Sequence, residues 1–219
     1  MGPTPHRFPL AEALLNLLFP PKCVACGVRG SWLCPDCMDQ IEFFEPPWQW
    51  MLDEISPLQD VRCAARLGGP LREAIHSFKY EGLRALARTL GEVLYDCWDV
   101  EPWPVDVIVP VPLHPSRLRE RGYNQSALLA RELARHTGLP IAERVLLRIS
   151  PTRPQVGLNV AERAENVRDA FRCRDESLRG QQVLLVDDVL TTGATLRACA
   201  QALLQGKARA VWGLTLAHD

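Results

Sequence analysis

At 219 residues, 47% hydrophobic and 23% charged, the chain has the composition of an ordinary globular protein, with room for one α/β core and a small accessory module. Its formal net charge of −1 gives no global pull toward or away from polyanions. No apolar run approaches the roughly 20 residues that span a bilayer, which excludes a membrane-spanning helix.

Near the N-terminus, Leu10 to Phe19 is apolar but contains Glu12 and Asn16 and stops at Pro20-Pro21. It lacks a small-residue cleavage site and reads as a short amphipathic helix, not a signal peptide. The eight cysteines are therefore expected in a reducing cytoplasm, where paired thiols favour metal over disulfide. Cys23-Val-Ala-Cys26-Gly27 and Cys34-Pro-Asp-Cys37 are two Cys-x-x-Cys pairs spaced to close on one tetrahedral Zn²⁺. Four thiolates with no open position make such a site structural. Gly27 suits the left-handed turn of a knuckle, and Gly30 reads as the tip of a small hairpin. Redox or merely buried cysteines are the competing reading; two pairs with no βαβ pattern around them favour zinc. Cys63, Cys97, Cys173 and Cys199 sit singly on apolar-patterned segments and read as small core residues.

Residues 38–60 carry six acids and no Lys or Arg, with Pro46-Pro47, Trp48 and Trp50. This reads as a linker that packs its aromatics on the next domain, because its negative charge would repel nucleic acid. The predicted organisation is a module over 1–60 and an α/β domain over 61–219. Val61 to Leu67 can form a strand, and Pro70 suits the first turn of a helix from Leu71 to Phe78. Lys79 next to Gly82 is a weak candidate for an anion contact, a solvated lysine being the ordinary alternative. A second helix is predicted from Leu83 to about Trp98 by its apolar spacing.

Val105 to Val109 is an apolar strand that runs into Pro110-Val-Pro112 and His114. Ser116-Arg117-Leu-Arg119-Glu-Arg121-Gly122 follows, and Asn124 can cap a helix from Gln125 to His136. Arginines and a glycine between a strand end and a helix N-terminus make an anion loop, or else a solvated basic turn. Val145 to Ile149 reads as a strand. The polar stretch 151–167 reads as a moving lid or as an exposed Arg-rich helix. From Pro112 to Arg174 there are twelve arginines against six acids, a balance for which a diphosphate-bearing sugar is a sufficient reason.

Val183 to Val186 is an unbroken apolar run of the kind a central parallel strand needs. Asp187 and Asp188 follow, then Thr191-Thr192-Gly193-Ala194-Thr195, then a helical spacing through Leu204 that Gly206 can stop. Backbone N–H groups at a helix start hold phosphate, and adjacent acids suit ribose hydroxyls or Mg²⁺. Acids that merely cap a turn are the bland alternative. A Walker-B strand is excluded because no Gly-x-x-x-x-Gly-Lys-Ser/Thr precedes it. Lys207 to Leu216 supplies a last strand.

The stretch 183–195 resembles the 5-phosphoribosyl-1-pyrophosphate (PRPP) loop of type I phosphoribosyltransferases. Pro-Val-Pro followed by Arg-Gly-Tyr-Asn-Gln resembles the pyrophosphate loop of amidophosphoribosyltransferase-like proteins. With the four-cysteine knuckles and Phe-Lys-Tyr-x-Gly at 78–82, the whole chain is most similar to the ComF/GntX family. The resemblance implies a type I phosphoribosyltransferase fold, a central, mostly parallel sheet flanked by helices, behind a zinc-ribbon-like module. It implies Mg²⁺-PRPP with ribose hydroxyls on Asp187 and Asp188 and the 5-phosphate on Thr191 to Thr195. Lys79, His114, Arg117, Arg121 and Gly122 would face the pyrophosphate with the lid residues Arg153, Gln155 and Arg163. The hood that grips an acceptor is expected from the N-terminal half. The family implies a role in natural competence and DNA uptake. Three readings stay open: ribose-5-phosphate transfer to an unknown acceptor; a PRPP sensor or scaffold that binds single-stranded DNA and recombination proteins; and nucleobase salvage. Lys22 and Arg29 give the knuckles a slight positive balance for single-strand contact.

Overall fold

The computed structural model describes residues 20–46, 55–150 and 170–219. The stretch 10–19, Trp48 and Trp50, and the predicted lid with Arg153, Gln155 and Arg163 lie outside the described residues. In chain order the elements are α1 (Pro35–Met38), β1 (Val61–Arg66), α2 (Gly69–Tyr80), α3 (Leu86–Asp99) and β2 (Val107–Pro110). Then come α4 (Pro115–Arg121), α5 (Gln125–Thr137), β3 (Leu146–Arg148), β4 (Phe171–Cys173), β5 (Gln182–Leu190), α6 (Ala194–Gln205) and β6 (Ala210–His218).

Val183 to Val186 of β5 expose no surface, so the strand needs partners on both edges and cover on both faces. β6 and β2 flank it in parallel, and β1 pairs in parallel with β6, giving the order β1-β6-β5-β2. Helices α3 and α5 pack on each other and on this sheet, while α6 packs against β5, β6 and the antiparallel pair β3–β4. The parallel sheet flanked by helices agrees with the fold expected from the apolar runs.

The boundaries differ where turn chemistry decides them. Helix α2 continues past Phe78 to Tyr80, so Lys79 lies in its last turn and not in a loop. Helix α3 begins at Leu86, and β4 was not anticipated. The stretch read as an anion loop is largely helical: His114 caps α4 by accepting from the Ser116 amide, Pro115 starts it, and Gly122 ends it at φ +77°. Gly206 does follow α6, but at φ −74°; the left-handed residue is Lys207. A Cβ on Gly206 would lie 2.6 Å from the Cys173 sulfur, so close packing accounts for that glycine.

The cysteine module joins the same body. Lys22 bridges Arg29 across a turn that closes on Gly27 at φ +78°. Gly30 lies at the base of this hairpin, its amide donating to Pro21, and not at its tip. Beyond α1 the chain runs along the open edge of β1: the Phe44 amide donates to Ala64, and the Arg66 amide donates to Glu42. Cys23, Leu33, Cys34, Cys37 and Ile41 belong to the buried cluster that includes the sheet.

The tightest helix contact is α3 on α5. A Cβ added to Gly91 would sit 2.4 Å from the Glu132 Cβ. Gly91→Ala is expected to push the helices apart and cost about 1–3 kcal/mol, read by chemical denaturation. An unchanged midpoint would contradict this packing.

Candidate functional site

The four predicted metal ligands converge. The Sγ atoms of Cys23, Cys26, Cys34 and Cys37 all lie within 4.8 Å of one another, and Cys26 and Cys34 are 3.6 Å apart. A tetrahedral Zn²⁺ at about 2.3 Å from each sulfur sets edges of about 3.8 Å, so the donor set fits zinc. Cys23, Cys34 and Cys37 are buried and Cys26 is exposed. Burial and the neighbouring thiols push Cys37 far up, whereas at Cys23 backbone N–H groups of Cys34, Cys26 and Ala25 outweigh burial and bring the thiol down to about 6. A divalent cation reconciles such opposed thiols by binding all four as thiolates. No donor outside the four sulfurs joins this cluster among the described residues, as a structural site requires.

The second site lies at the carboxyl ends of β2 and β5. These strands are in register from Val107↔Val183 to Pro110↔Val186, so the segments that follow them open side by side. A cavity of about 510 Å³ sits there. Neighbouring strands whose connections diverge leave a crevice at this end of a parallel sheet. From β5 come Asp187 and Asp188; from the turn into α6 come Thr191, Gly193, Ala194 and Thr195. Gly193 takes φ +71°, which aims the first turn of α6 at the cavity. Arg117 and Arg121, one helical turn apart on α4, supply the opposite wall, and Lys79 and Tyr80 come from α2.

The acids are fixed separately, since consecutive strand residues point to opposite faces. Asp188 is only 4% exposed, and its Oδ1 lies 2.7 Å from Lys79 Nζ. Its Oδ2 is buried with no hydrogen-bond partner, so it can accept from a ligand hydroxyl or bind a cation. Burial pulls the Lys79 ammonium down, but the Asp188 carboxylate more than offsets this and holds it above its ordinary range. Asp187 accepts from Ser126 Oγ at 2.8 Å and from the Asp188 amide at 2.9 Å. Burial and the neighbouring Asp188 charge push the Asp187 carboxyl up to about 7, against the pull of Ser126 and Lys79.

The structure thus brings together Asp187, Asp188, Thr191, Gly193, Ala194, Thr195, Lys79, Arg117 and Arg121. Thr192, His114 and Gly122 are not among the residues lining the cavity. His114 Nδ1 is 2.7 Å from Ser116 Oγ and serves the start of α4. Gly122 instead borders a neighbouring concavity. Among the residues that line the cavity and were not anticipated are Ser126, Tyr80, Gln125 and Arg148. Arg148 had a signal, a lone cation in the apolar run Val145 to Ile149; burial, then nearby Arg117, lowers its guanidinium below the ordinary value. From the N-terminal half, the described residues lining the cavity are Lys79 and Tyr80, not residues of the cysteine module.

Metal analysis of the purified chain is expected to give one zinc per molecule. Cys37→Ser is expected to lose that zinc and to melt at lower temperature than the native chain. A native chain without zinc, or a variant that retains it in full, would refute the assignment.

Residues 124–217 match the phosphoribosyl transferase domain family, and residues 14–48 match the double zinc ribbon domain family. The chain is 31% identical to Competence protein F of Haemophilus influenzae over 209 residues, covering 90% of this chain and 85% of that protein. It is 33% identical to DNA utilization protein YhgH of Escherichia coli K12 over 194 residues, 86% of this chain and 85% of that one. Competence protein ComFC of Bacillus subtilis is 30% identical over 198 residues, 89% and 76% of the two chains. No helix among the described residues is long and apolar enough to cross a membrane. Four converging thiols ahead of a parallel sheet with acids at its carboxyl end, and relatives at this identity along most of both lengths, place the chain in the ComF family, as a type I phosphoribosyltransferase fold with an N-terminal zinc ribbon.

Proposed function

We propose that the cavity at the ends of β2 and β5 binds PRPP, with residues 61–219 as the phosphoribosyltransferase-like domain and 1–60 as its zinc-bearing module. The observation that carries this reading is one cavity of about 510 Å³ bounded by three separate chemistries. A helix start with two threonines suits a phosphomonoester. Two acids suit ribose hydroxyls, and Asp188 Oδ2 is the acceptor without a partner. Arg117 and Arg121 on one face of α4 suit a diphosphate.

A ribose with phosphate at one end and diphosphate at the other matches that order. The 5-phosphate goes on Thr191 to Thr195, the sugar over Asp187 and Asp188, and the diphosphate toward Arg117, Arg121 and Arg148. Mg²⁺ bound with the substrate would neutralise diphosphate charge, and Asp187 and Asp188 are the carboxylates placed to share it, directly or through the ribose hydroxyls. Loss of pyrophosphate from the sugar leaves positive charge on the ribose. The chain's own residues would then act by holding the sugar and stabilising the departing negative charge. The reading leans toward an enzyme that transfers ribose 5-phosphate to a nitrogenous acceptor. Its relatives are named for competence and DNA utilisation, and we extend that association to this chain. The eight free cysteines suit a reducing cytoplasm.

Calorimetry with Mg²⁺ and PRPP is expected to show one site on the native chain. Asp188→Asn is expected to weaken it by about tenfold to a hundredfold, the loss of one or two charge-assisted hydrogen bonds. Arg121→Gln is expected to weaken PRPP more than ribose 5-phosphate, because it addresses only the diphosphate. Equal affinity in Asp188→Asn, or no heat from the native chain, would overturn the proposal. Pyrophosphate release across a panel of nucleobases and amines would then identify the acceptor.

A further inference from the structure

Lys79 enters the donor cavity already paired. It lies in the last turn of α2, with 18% of its side chain exposed, and its Nζ is 2.7 Å from Asp188 Oδ1. Asp188 is 4% exposed, and its other oxygen, Oδ2, is buried without a hydrogen-bond partner. This carboxylate is therefore half committed: one oxygen carries an ammonium, and the other is an open acceptor. Asp187 is engaged differently, by two neutral donors, the Ser126 hydroxyl and the Asp188 amide, both on Oδ1.

Two adjacent acids at a strand end would, on their own, attract a divalent cation. Here the described residues that line the cavity set Lys79, Arg117, Arg121 and Arg148 against Glu120, Asp187 and Asp188. A metal ion that enters without a counter-charge meets more cations than acids, and one of those cations sits on the carboxylate it needs. Like charges in so buried a place repel strongly, because little water remains to screen them. A metal ion carried on a diphosphate brings its own negative charge, and the diphosphate offers the ammonium a new partner. The ion pair thus discriminates between a bare cation and the same cation on an anionic ligand.

We infer that Lys79 is a selectivity residue: it holds the place of a cation on Asp188, so that the site refuses a free divalent metal ion and takes one only together with the anionic donor. Lysine suits this task, being a compact charge on a flexible stem that can exchange a carboxylate for a phosphate oxygen. Its place at a helix end lets the ammonium move while the buried strand stays fixed. A purely structural pair is the competing account; it would fasten α2 to β5 whatever the cavity holds. Uptake with the donor rests on the PRPP reading, whereas exclusion of the bare ion does not and is measured without PRPP.

The test is electron paramagnetic resonance of Mn²⁺ added alone to the full zinc-loaded chain, where bound ion drops out of the free-ion signal. The native chain is expected to show no stoichiometric site. Lys79→Gln still donates to Asp188 but carries no charge, and it is expected to gain one site, roughly tenfold tighter or better than any on the native chain. Lys79→Met is expected to gain the same site, and Asp188→Asn added to Lys79→Gln to abolish it. Lys79→Arg keeps the charge and is expected to stay closed. Melting curves establish that each variant is folded, and Mn²⁺ is expected to raise the melting temperature of Lys79→Gln but not of the native chain. A stoichiometric Mn²⁺ site on the native chain, or no gain in either neutral variant, would overturn the inference. So would an equal gain in Lys79→Arg, which is what a merely loosened helix end would give. With Mn²⁺ and PRPP together the native chain is expected to take up one ion. If it binds PRPP without the ion, the inference fails; if it binds neither, the donor reading fails and the metal-only measurements still decide the role of Lys79.

Discussion

Asp188 lies at the end of a strand whose preceding residues are sealed from water, and an ionised carboxylate there depends on Lys79 at 2.7 Å. Breaking such a buried pair from one side typically costs about 3–5 kcal/mol, so the contact fixes the end of α2 against β5. Other parts of the site are tied to that junction. The Tyr123 hydroxyl donates to the Phe78 carbonyl, one residue before Lys79, and Arg84 donates to the Gly122 carbonyl at 3.0 Å. The turn between α4 and α5 is therefore held at the same helix end that holds the acid. Arg117 and Arg121 ride on α4, so their distance from the acids is set by these bonds and not by a free loop.

The run Arg121 to Ser126 shows how densely this is encoded. Arg121 donates to Gln125 at 2.6 Å and borders the cavity. Gly122 supplies the left-handed turn, and Tyr123 reaches Phe78. Asn124 caps α5 with its oxygen and donates from Nδ2 to Val111, the residue after β2. Ser126 holds Asp187. Each side chain ties α4 or α5 to a different strand end or helix end. Acid and arginine walls are built by one connected polar network, in which partial satisfaction would be costly.

The zinc ribbon contributes to the same construction from the β1 edge of the sheet. Without cover, β1 would present an open edge beside β6. The strip around Glu42 to Phe44 pairs with that edge, and the buried cysteines continue the core. Zinc held by the four thiols would brace the strand that feeds α2, and through α2 the residue that pairs with Asp188. Much of this was legible in the sequence: four apolar residues before two acids imply a buried parallel strand, and two Cys-x-x-Cys pairs imply a closed tetrahedral site. The misreadings have separate physical causes. Pro115 and Gly122 bound a helix of seven residues, too short for periodicity to betray, and proline-rich context argued for a loop. Ser126 and Arg148 became site residues through tertiary contact with Asp187 and the cavity, which no local spacing encodes. Gly30 was given the hairpin tip on residue type, whereas its amide bond to Pro21 puts it at the hairpin base; Gly206 does stop α6, as read.

The charge balance between Pro112 and Arg174 changes meaning once it has a geometry. As sequence, twelve arginines against six acids called for one diphosphate and nothing more. Of the nine arginines of that stretch that are described, Arg117, Arg121 and Arg148 line the donor cavity. Arg135 is bound to Glu132, one helical turn away, and Arg131 to Glu143. Arg144 and Arg174 lie beyond the donor cavity, around a neighbouring concavity that Arg148 also lines. A sugar diphosphate at the ends of β2 and β5 can account for the first group only. Arg144 and Arg174 are exposed to solvent, and Asp175 lies beside Arg174, so neither needs the donor as a counter-charge. Arg148, common to both concavities, is the point where the basic turn around β3 reaches the donor cavity.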